Sequence, residues 1–330
     1  MGVEFTNLGR ENISMLHAIG VDLGGTFIKY ALIDQDANII TSGKIPSCAD
    51  VSAEAVVDQI VTAVKEIQKY AKAHSCELVG VGIGTPGIVD ITNRIILGGA
   101  ENIKGWEQIR LADKIEERTF LPAFVNNDAN LMGLGETHYG AGRGCSHVVF
   151  LTVGTGIGGA VVIDGNLFNG FDNRGTELGH VPLIADGEPC SCGSVGCLET
   201  YASTSALVRK FAEKSEEQGI TYPGEEINGE LIVRLYKEGN PLAVECLTNH
   251  CYYLGRGIGG FINIFSPQRV IIGGGLSEAG DFYIKKVSEY AFSNAIYDST
   301  VNTTIMAATL GNKAGSIGAA HLVFSSLKQK

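Results

Sequence analysis

Three cysteines and one histidine lie close together near the middle of the chain. They are His180, Cys190, Cys192 and Cys197, and glycines separate the last two cysteines. Three thiolates and one imidazole form a complete tetrahedral ligand set for Zn²⁺, whereas three unrelated buried cysteines beside a loop histidine would rarely be so clustered. Because four protein ligands leave no position for water, the pattern predicts a structural zinc ion rather than a catalytic one.

Asp22 stands where an apolar run meets the turn Gly24-Gly25-Thr26. The alternating segment from Phe27 predicts a second strand, so the glycines should form a hairpin turn with exposed backbone N–H groups. An aspartate beside such a turn can hold Mg²⁺, directly or through water, and Thr26 with the turn amides can face a phosphate. An ordinary hairpin with a capping aspartate explains the motif equally well.

The turn Gly154-Thr155-Gly156 repeats this layout later in the chain. It lies between two apolar segments, 148–153 and 160–164, that both have strand character. Two hairpins of this kind indicate two related halves that close over one nucleotide.

Asn127 and Asp128 follow the short apolar strand predicted for 120–125 and begin a helical segment that runs to Tyr139. The end of a strand at the start of a helix is a typical place for a functional side chain in an α/β protein. Asn and Asp are also good helix N-caps, and the two interpretations are compatible.

Two glycine-rich segments are candidates for a nucleotide site. Gly82, Gly84 and Gly87 match GxGxxG, but that fingerprint must open a helix, and Pro86 with the β-branched residues after it favours a turn into another strand. The strand from Arg269 ends in Gly273-Gly274-Gly275, where a flat ring or a sugar can lie against bare backbone. Neither a P-loop nor a protein-kinase signature is present.

The composition excludes several classes of protein. The net charge of −11 and the lack of a basic run argue against a nucleic-acid partner. The early charged residues do not fit a signal peptide, and the longest uncharged stretch, 147–163, is too short and too rich in glycine to cross a membrane. Eight cysteines without a secretory signal predict a reducing compartment, the cytoplasm.

The remaining hydrophobic periodicity predicts alternating strands and helices. Helices are expected at 52–74, from the segment 102–106 to about Arg118, and at 203–216, 229–237, 241–265, 281–294 and 314–327, with a strand at 303–308. Two glycine-threonine hairpins, one well-placed aspartate and a zinc segment that presents carboxylates together fit a small-molecule kinase acting on a sugar.

Several of these motifs resemble the ROK family (repressors, open reading frames and kinases) of actin-like ATPases, and its bacterial sugar kinases, glucokinases most of all. The resemblance covers nearly the whole chain from about Ala18. Its most specific motif is Cys-x-Cys-Gly-x-x-Gly-Cys-x-Glu, which ends at Glu199, with Glu-x-Gly-His at 177–180, Asp-x-Gly-Gly-Thr at 22–26 and Asn-Asp-x-Asn at 127–130.

The resemblance implies an α/β, actin-like (ribonuclease-H-like) ATPase fold with two lobes, a cleft between them and a structural zinc clasp. The lobes would be 1–126 and 127–313, with the zinc segment at 177–199 and a closing helix at about 314–330 that packs back on the first lobe. The family also implies a homodimer and ATP, Mg²⁺ and structural Zn²⁺ as cofactors.

Site residues follow from the same resemblance. Asp128 would be the general base for the sugar hydroxyl, and His180 would both bind zinc and face the sugar. The other implied residues are Asn102, Asn127, Glu177 and Glu199 for the sugar, and Asp22, Gly24, Gly25, Thr26, Lys29, Thr155, Gly156, Gly274 and Gly275 for the nucleotide and Mg²⁺. A solvated strand lysine is an equal alternative for Lys29.

Phosphorylation of glucose at its 6-hydroxyl is the first expectation, with N-acetylglucosamine, N-acetylmannosamine, fructose or allose as alternative acceptors. A sugar-binding sensor without catalysis and a zinc hydrolase are the alternatives from other classes. Repressors of the family carry a helix-turn-helix domain before the kinase core. Since fewer than twenty residues precede the first predicted strand, no such domain is expected.

Overall fold

The computed structural model describes residues 15–100 and 103–328. Most strands fall into two sheets. The strands are β1 (Leu16–Leu23), β2 (Phe27–Asp34), β3 (Ile39–Pro46), β4 (Glu77–Thr85), β5 (Ile88–Asp90), β6 (Ile95–Gly98), β7 (Ala123–Asn127), β8 (Val148–Val153), β9 (Ile157–Ile163), β10 (Asn166–Leu167), β11 (Arg269–Gly273) and β12 (Thr304–Ala307).

The helices connect the strands along the chain and pack against the sheets. They are α1 (Ala53–Ala73), α2 (Leu111–Thr119), α3 (Asp128–Tyr139), α4 (Leu198–Ala202), α5 (Thr204–Glu217), α6 (Gly229–Lys237), α7 (Pro241–Phe265), α8 (Asp281–Ser293), α9 (Tyr297–Thr300) and α10 (Ala314–Lys328). None of the helices in the described part of the chain is both long and apolar enough to cross a lipid bilayer.

The two five-stranded sheets have the same topology. The first has the order β3-β2-β1-β4-β7 and the second β10-β9-β8-β11-β12. In each, three strands form antiparallel hairpins and the last two add in parallel. This shared order agrees with the repeated hairpin layout in the sequence.

Each sheet has its own hydrophobic core. Helix α1 begins after Ser52, whose hydroxyl accepts a hydrogen bond from the Ala55 N–H at 3.2 Å, and it buries its apolar face in the core of the first sheet. Helix α7 begins with Pro241 in its first turn, where proline costs no hydrogen bond, and it is buried along much of its length in the core of the second.

Helix α10 lies directly on the first sheet and also packs against α3. Close approach depends on glycine: a Cβ at Gly20 or Gly82 would lie 1.9 or 1.8 Å from a carbonyl oxygen of α10. A Cβ at Gly318 of α10 would lie 1.7 Å from the carbonyl oxygen of Leu131 in α3. These contacts bring the start of α10 to the end of β1, where Asp22 lies.

The helix predicted to start in the segment 102–106 is shorter than expected, because α2 begins only at Leu111. Gly105 and Gln108 have φ values of 75° and 61°, which a right-handed helix excludes. Trp106 is buried, and its indole Nε1–H donates to the Thr85 hydroxyl at 2.9 Å. Burial of one large aromatic side chain therefore outweighed the local helical pattern.

The GxGxxG match does not open a helix. Strand β4 runs through Gly82 and Gly84 to its end at Thr85, and strand β5 follows from Ile88. The predicted turn into another strand is therefore confirmed, and the helix that a dinucleotide fingerprint must open does not follow this segment.

Candidate functional site

Asp22 and Asp128 meet at one edge of the first sheet. Asp22, near the end of β1, pairs with Gly84 of the neighbouring parallel strand β4. Asp128 begins α3 directly after β7, the strand on the other side of β4. A Cβ at Gly84 would lie 3.4 Å from the Cα of Asp128. Because carboxyl ends of parallel strands share an edge, the fold brings together two carboxylates that are about a hundred residues apart.

The surroundings of both carboxyl groups favour their neutral forms. Burial raises the pKa of Asp22 to about 6, the charge of Asp128 adds to this shift, and Lys29 opposes it. Burial also raises the pKa of Asp128, although the N–H of Ala129 donates to its Oδ1 at 2.8 Å and opposes the shift. A carboxylate with a raised pKa is a stronger proton acceptor than a free aspartate.

Lys29 and the start of α10 form another wall around Asp22. Lys29 pairs with Asp22 across the β1–β2 hairpin, and its Nζ donates to Asn312 Oδ1 at 2.9 Å. A Cβ at Gly315 would lie 2.7 Å from the carboxyl carbon of Asp22. Lys29 is therefore linked to the segment before α10. No sequence pattern pointed to Asn312, and Gly315 was recognisable only as a small residue early in the last helix.

The side chain of Asn127 holds two segments in place. Its Oδ1 accepts from the Asn130 N–H at 3.2 Å, which caps α3, and its Nδ2 donates to the Gly87 carbonyl at 3.1 Å. One N–H of the amide group is left for a ligand. Asn102, the other amide expected to face a sugar, lies outside the described residues.

The four predicted zinc ligands form one cluster, with ligand atoms that all lie within 4.8 Å of one another. The Sγ of Cys190 is 3.6 Å from the Nδ1 of His180, and the Sγ atoms of Cys192 and Cys197 are 3.7 Å apart. A zinc ion with Zn–S bonds of about 2.3 Å in tetrahedral geometry requires ligand separations of about 3.6–3.8 Å. The sulfur separation is far too long for a disulfide. The separations between Cys190 and His180 and between Cys192 and Cys197 therefore fit a tetrahedral metal ion.

The zinc segment is packed against the second hairpin. The carboxylate of Glu199 accepts from the Ile157 N–H at 2.7 Å. A Cβ at Gly156 would lie 2.3 Å from Glu199 Oε2, and a Cβ at Gly179 would lie 2.1 Å from the Ile157 carbonyl oxygen. The glycines at 156 and 179 therefore allow the segment to press against the turn and place Glu199 there.

Glu177 lies near His180, Asp128 and Glu199, whose charges all act on its carboxyl group. Burial raises the pKa of Glu177, His180 opposes the shift, and the charges of Asp128 and Glu199 add to it. The Nδ1 of His180 points into the cysteine cluster, which leaves its Nε2 as the ring nitrogen away from the cluster. Carboxylates and an imidazole that lie near one another are suited to binding several hydroxyl groups.

The first glycine-threonine turn is open. The N–H of Gly24 closes the hairpin by donating to the Phe27 carbonyl at 3.0 Å, while Gly25 and Thr26 are exposed. Their carbonyl oxygens accept from Ser47, through its hydroxyl at 2.7 Å and its N–H at 2.9 Å. The turn is therefore held from one side by Ser47 and is accessible from the other.

The second turn adjoins a cavity of about 920 Å³. Gly274 has a φ of 94°, and a Cβ there would lie 2.0 Å from the Val153 carbonyl oxygen, so only glycine fits. Thr155 is exposed at the tip of the turn. Residues that line the cavity include Gly154, Thr204, Asn228, Arg234, Gly275 and Leu276. The contribution of α6 to this cavity had no signal in the sequence beyond its helical periodicity.

Comparisons with known proteins agree with this architecture. A sequence model of the ROK family matches residues 18–326. A glucokinase from Halalkalibacterium halodurans is 34% identical over 313 residues, which cover 92% of this chain and 94% of the relative. A xylose repressor from Caldicellulosiruptor bescii is 29% identical over 318 residues, which cover 94% of this chain and 78% of the repressor.

Among solved structures, a ROK family glucokinase from Streptomyces griseus in complex with glucose and AMPPNP is similar with a TM-score of 0.79. It is 33% identical, and the match covers 94% of this chain and 99% of that one. The family match over most of the sequence, together with these likenesses in sequence and fold, shows that the chain belongs to the ROK family.

Proposed function

We propose that the protein transfers the γ-phosphoryl group of ATP to a hydroxyl group of a hexose, with glucose and its 6-hydroxyl as the first candidate. The observation that carries the proposal is the convergence of Asp22 and Asp128 at one edge of the first sheet, beside the carboxylates and imidazole of the zinc segment. The relatives named glucokinase, at 34–36% identity over more than nine-tenths of the chain, support it.

Asp128 is proposed as the general base. It accepts the proton of the acceptor hydroxyl while that oxygen forms a bond to the γ-phosphorus and the bond from the γ-phosphorus to the ADP oxygen breaks. Its raised pKa suits this step, because a more basic carboxylate takes the proton more readily.

The sugar is proposed to bind between the two sheets. Glu177, His180 and Glu199 would accept and donate hydrogen bonds on one side, with Asn127 and Asn102 completing the set. Zinc at the cysteine cluster would fix the imidazole of His180 through Nδ1 and leave Nε2 for the sugar. Because the surrounding groups are mostly acidic, the site favours neutral polyhydroxylated acceptors over sugar acids.

The nucleotide is proposed to span the two turns. Asp22 offers carboxylate oxygen, the ligand type that Mg²⁺ prefers, and Mg²⁺ when bound neutralises charge on the phosphate oxygens. The exposed parts of both turns would face phosphates, and the cavity beside α6 would hold the nucleoside. The proposed phosphate and nucleoside residues are Gly24, Gly25, Thr26, Lys29, Thr155, Gly156, Gly274 and Gly275.

The two sheets are proposed to form two lobes, 1–126 with the closing helix from about residue 314, and 127–313. Closure on the sugar would exclude water, which would otherwise hydrolyse ATP. Exposed apolar side chains at the ends of α7 and α8 and around α9 support a homodimer, and sedimentation velocity will test it. These side chains are Ile264, Phe292, Ile296, Tyr297 and Val301.

The deciding experiment is ADP release from ATP and Mg²⁺ across hexoses and N-acetylhexosamines, with wild type and Asp128→Asn in parallel. We expect turnover on glucose, and a loss of about 1,000-fold or more in the variant with unchanged sugar affinity by calorimetry. Turnover on another hexose would keep the mechanism and change the acceptor. More than a few per cent residual turnover would remove Asp128 as the base.

A sugar-binding sensor without catalysis is the second candidate, because xylose repressors are also similar to this chain. The same assay separates the two. Sugar binding by calorimetry, with no ADP release on any sugar from folded, zinc-loaded protein, would favour the sensor.

A further inference from the structure

Glu136 is a buried acidic residue that the proposed chemistry does not use. It lies in the last turns of α3, and its exposed fraction is 0%. Within residues 15–100 and 103–328, none of the ion pairs includes Glu136. A carboxyl group taken out of water must find its partners among hydrogen-bond donors.

Those donors come from two separate segments. Glu136 Oε1 accepts from the N–H groups of Thr309 at 2.9 Å and Leu310 at 2.7 Å. Glu136 Oε2 accepts from the N–H of Ala141 at 2.9 Å and also from the N–H and hydroxyl of Thr309 at 3.1 and 3.4 Å. Both oxygens face backbone N–H groups, so an amide in place of the carboxylate would turn its NH₂ group toward donors.

Glu136 and its donors at 309–310 lie on two elements that both lead to the proposed reaction site. Helix α3 carries Asp128 at its first position and Glu136 two turns later. Thr309 and Leu310 continue into Asn312, which accepts from Lys29, and then into the start of α10, which meets Asp22. One side chain thus joins the helix of the proposed base to the segment beside the proposed Mg²⁺ ligand.

Glu136 also borders the space proposed for the nucleotide. A cavity of about 240 Å³ is lined by Glu136 together with Gly274, Gly275, Asn312 and Ala314. A shift of the 309–312 segment would therefore change both the surroundings of Asp22 and one wall of this cavity.

We infer that Glu136 is a positioning residue, which fixes the segment 309–312 relative to α3 and so sets the alignment of Asp128 with the bound phosphoryl donor. This inference rests on the proposed kinase function. Because misplacement by about 1 Å can cost about 100-fold in rate, the side chain should affect turnover far more than sugar binding.

The test compares Glu136→Gln with Thr137→Val. Thr137 is the neighbouring buried residue of α3, and its hydroxyl donates to the Gly133 carbonyl at 2.7 Å within the helix. Its removal therefore weakens α3 without touching the 309–312 segment. Glu136→Gln should lower kcat by about 100-fold, with the sugar Kd from calorimetry within about twofold of wild type, while Thr137→Val should keep kcat within about threefold.

Gly140→Ala disturbs the hydrogen bonds of the Glu136 carboxylate without changing its charge. It is the second variant, for the case that Glu136→Gln does not fold. Gly140 has φ and ψ values of −113° and −137°, and a Cβ there would lie 2.1 Å from Glu136 Oε2, which pushes the carboxylate from its donors. The same loss of kcat at unchanged sugar affinity is expected.

Activities are compared per folded molecule, with the folded fraction taken from thermal unfolding. A kcat within about twofold of wild type in Glu136→Gln or Gly140→Ala, or an equal loss in Thr137→Val, would overturn the inference alone. A wild type that turns over no sugar would overturn the proposed function and this inference with it.

Discussion

The two glycine-threonine hairpins occupy equivalent places in sheets of the same topology, yet they carry different chemistry. In the first sheet, Asp22 pairs with Lys29 on one side and with Gly84 on the other. At the equivalent place in the second sheet, Thr152 pairs with glycines on both sides. The charged pair therefore belongs to the first half alone.

The turns themselves also differ in what covers them. Gly25 and Thr26 of the first turn are exposed, and Ser47 holds them from behind. The second turn is covered by Glu199, whose carboxylate lies against Gly156. A repeated backbone therefore supplies two similar turns, while the side chains around them come from one half or from the segment 177–199.

The largest expected effect is a difference in kcat between substitutions at the two equivalent positions, Asp22 and Thr152. Asp22→Asn should lower kcat by about 100- to 1,000-fold, because it removes the anionic side chain that we propose as the Mg²⁺ ligand beside the phosphates. Thr152→Val, at the equivalent place of the second sheet, should change kcat less than about threefold. Steady-state ADP release measures both, and similar losses would mean that the two halves share the chemistry.

Loss of the zinc site should disturb the second hairpin and spare the first. Cys192→Ser should lose bound zinc and about 3 kcal/mol or more of unfolding free energy, because metal binding contributes directly to folding. Hydrogen exchange should rise at 154–158 and stay low at 27–31.

Metal analysis and thermal unfolding accompany that exchange experiment. Cys76→Ser, which changes a partly buried cysteine outside the cluster, is the control. A stable, zinc-free and active Cys192→Ser protein would refute the structural role of the metal.

A smaller effect tests the contact that covers the second turn. Gly156→Ala places a Cβ where Glu199 Oε2 lies, so the carboxylate must move and lose its bond to the Ile157 N–H. We expect the KM for the sugar to rise about 10-fold with the fold intact. Gly154→Ala, where a Cβ meets nothing within 4 Å, is the matched control. Equal KM values in the two variants would show that Glu199 does not contact the sugar.

The smallest effect concerns stability and pH. The native pKa of Asp22 is raised from 3.8 to about 6, so between these values the folded protein binds more protons than the unfolded chain, and this group destabilises the fold as the pH rises. Asp22→Asn should therefore stabilise the protein at pH 7 by about 1–2 kcal/mol. The gain should shrink toward pH 4.

Denaturant titrations at pH 4, 5, 6 and 7 measure this difference. Thr152→Val has no titratable group at the equivalent place, so its change in unfolding free energy should not vary with pH. A gain from Asp22→Asn that is constant over this range would contradict the burial of the charge.

Local sequence determined most of the secondary structure and the main site motifs. Helix α7 has the predicted bounds of Pro241–Phe265, because an Asn cap, a proline in the first turn and a long apolar periodicity all act locally. The cluster of His180 with three cysteines was predictable for the same reason, since four residues with metal-ligating side chains lie within one short segment. The repeated hairpins indicated the two related sheets.

Only the tertiary structure decided how distant segments meet. Glu136 is bound by the N–H groups of residues 173 and 174 positions later, and Lys29 reaches Asn312 across 283 positions. Every residue except proline has the same backbone N–H donor, so no sequence pattern predicts such contacts. The buried indole of Trp106 likewise shortened a helix that its own sequence favoured. The conformational preferences of neighbouring residues determine the helices and strands. Packing between those elements determines which polar groups share a site, because a shared site depends on distance in space and not on spacing in the chain.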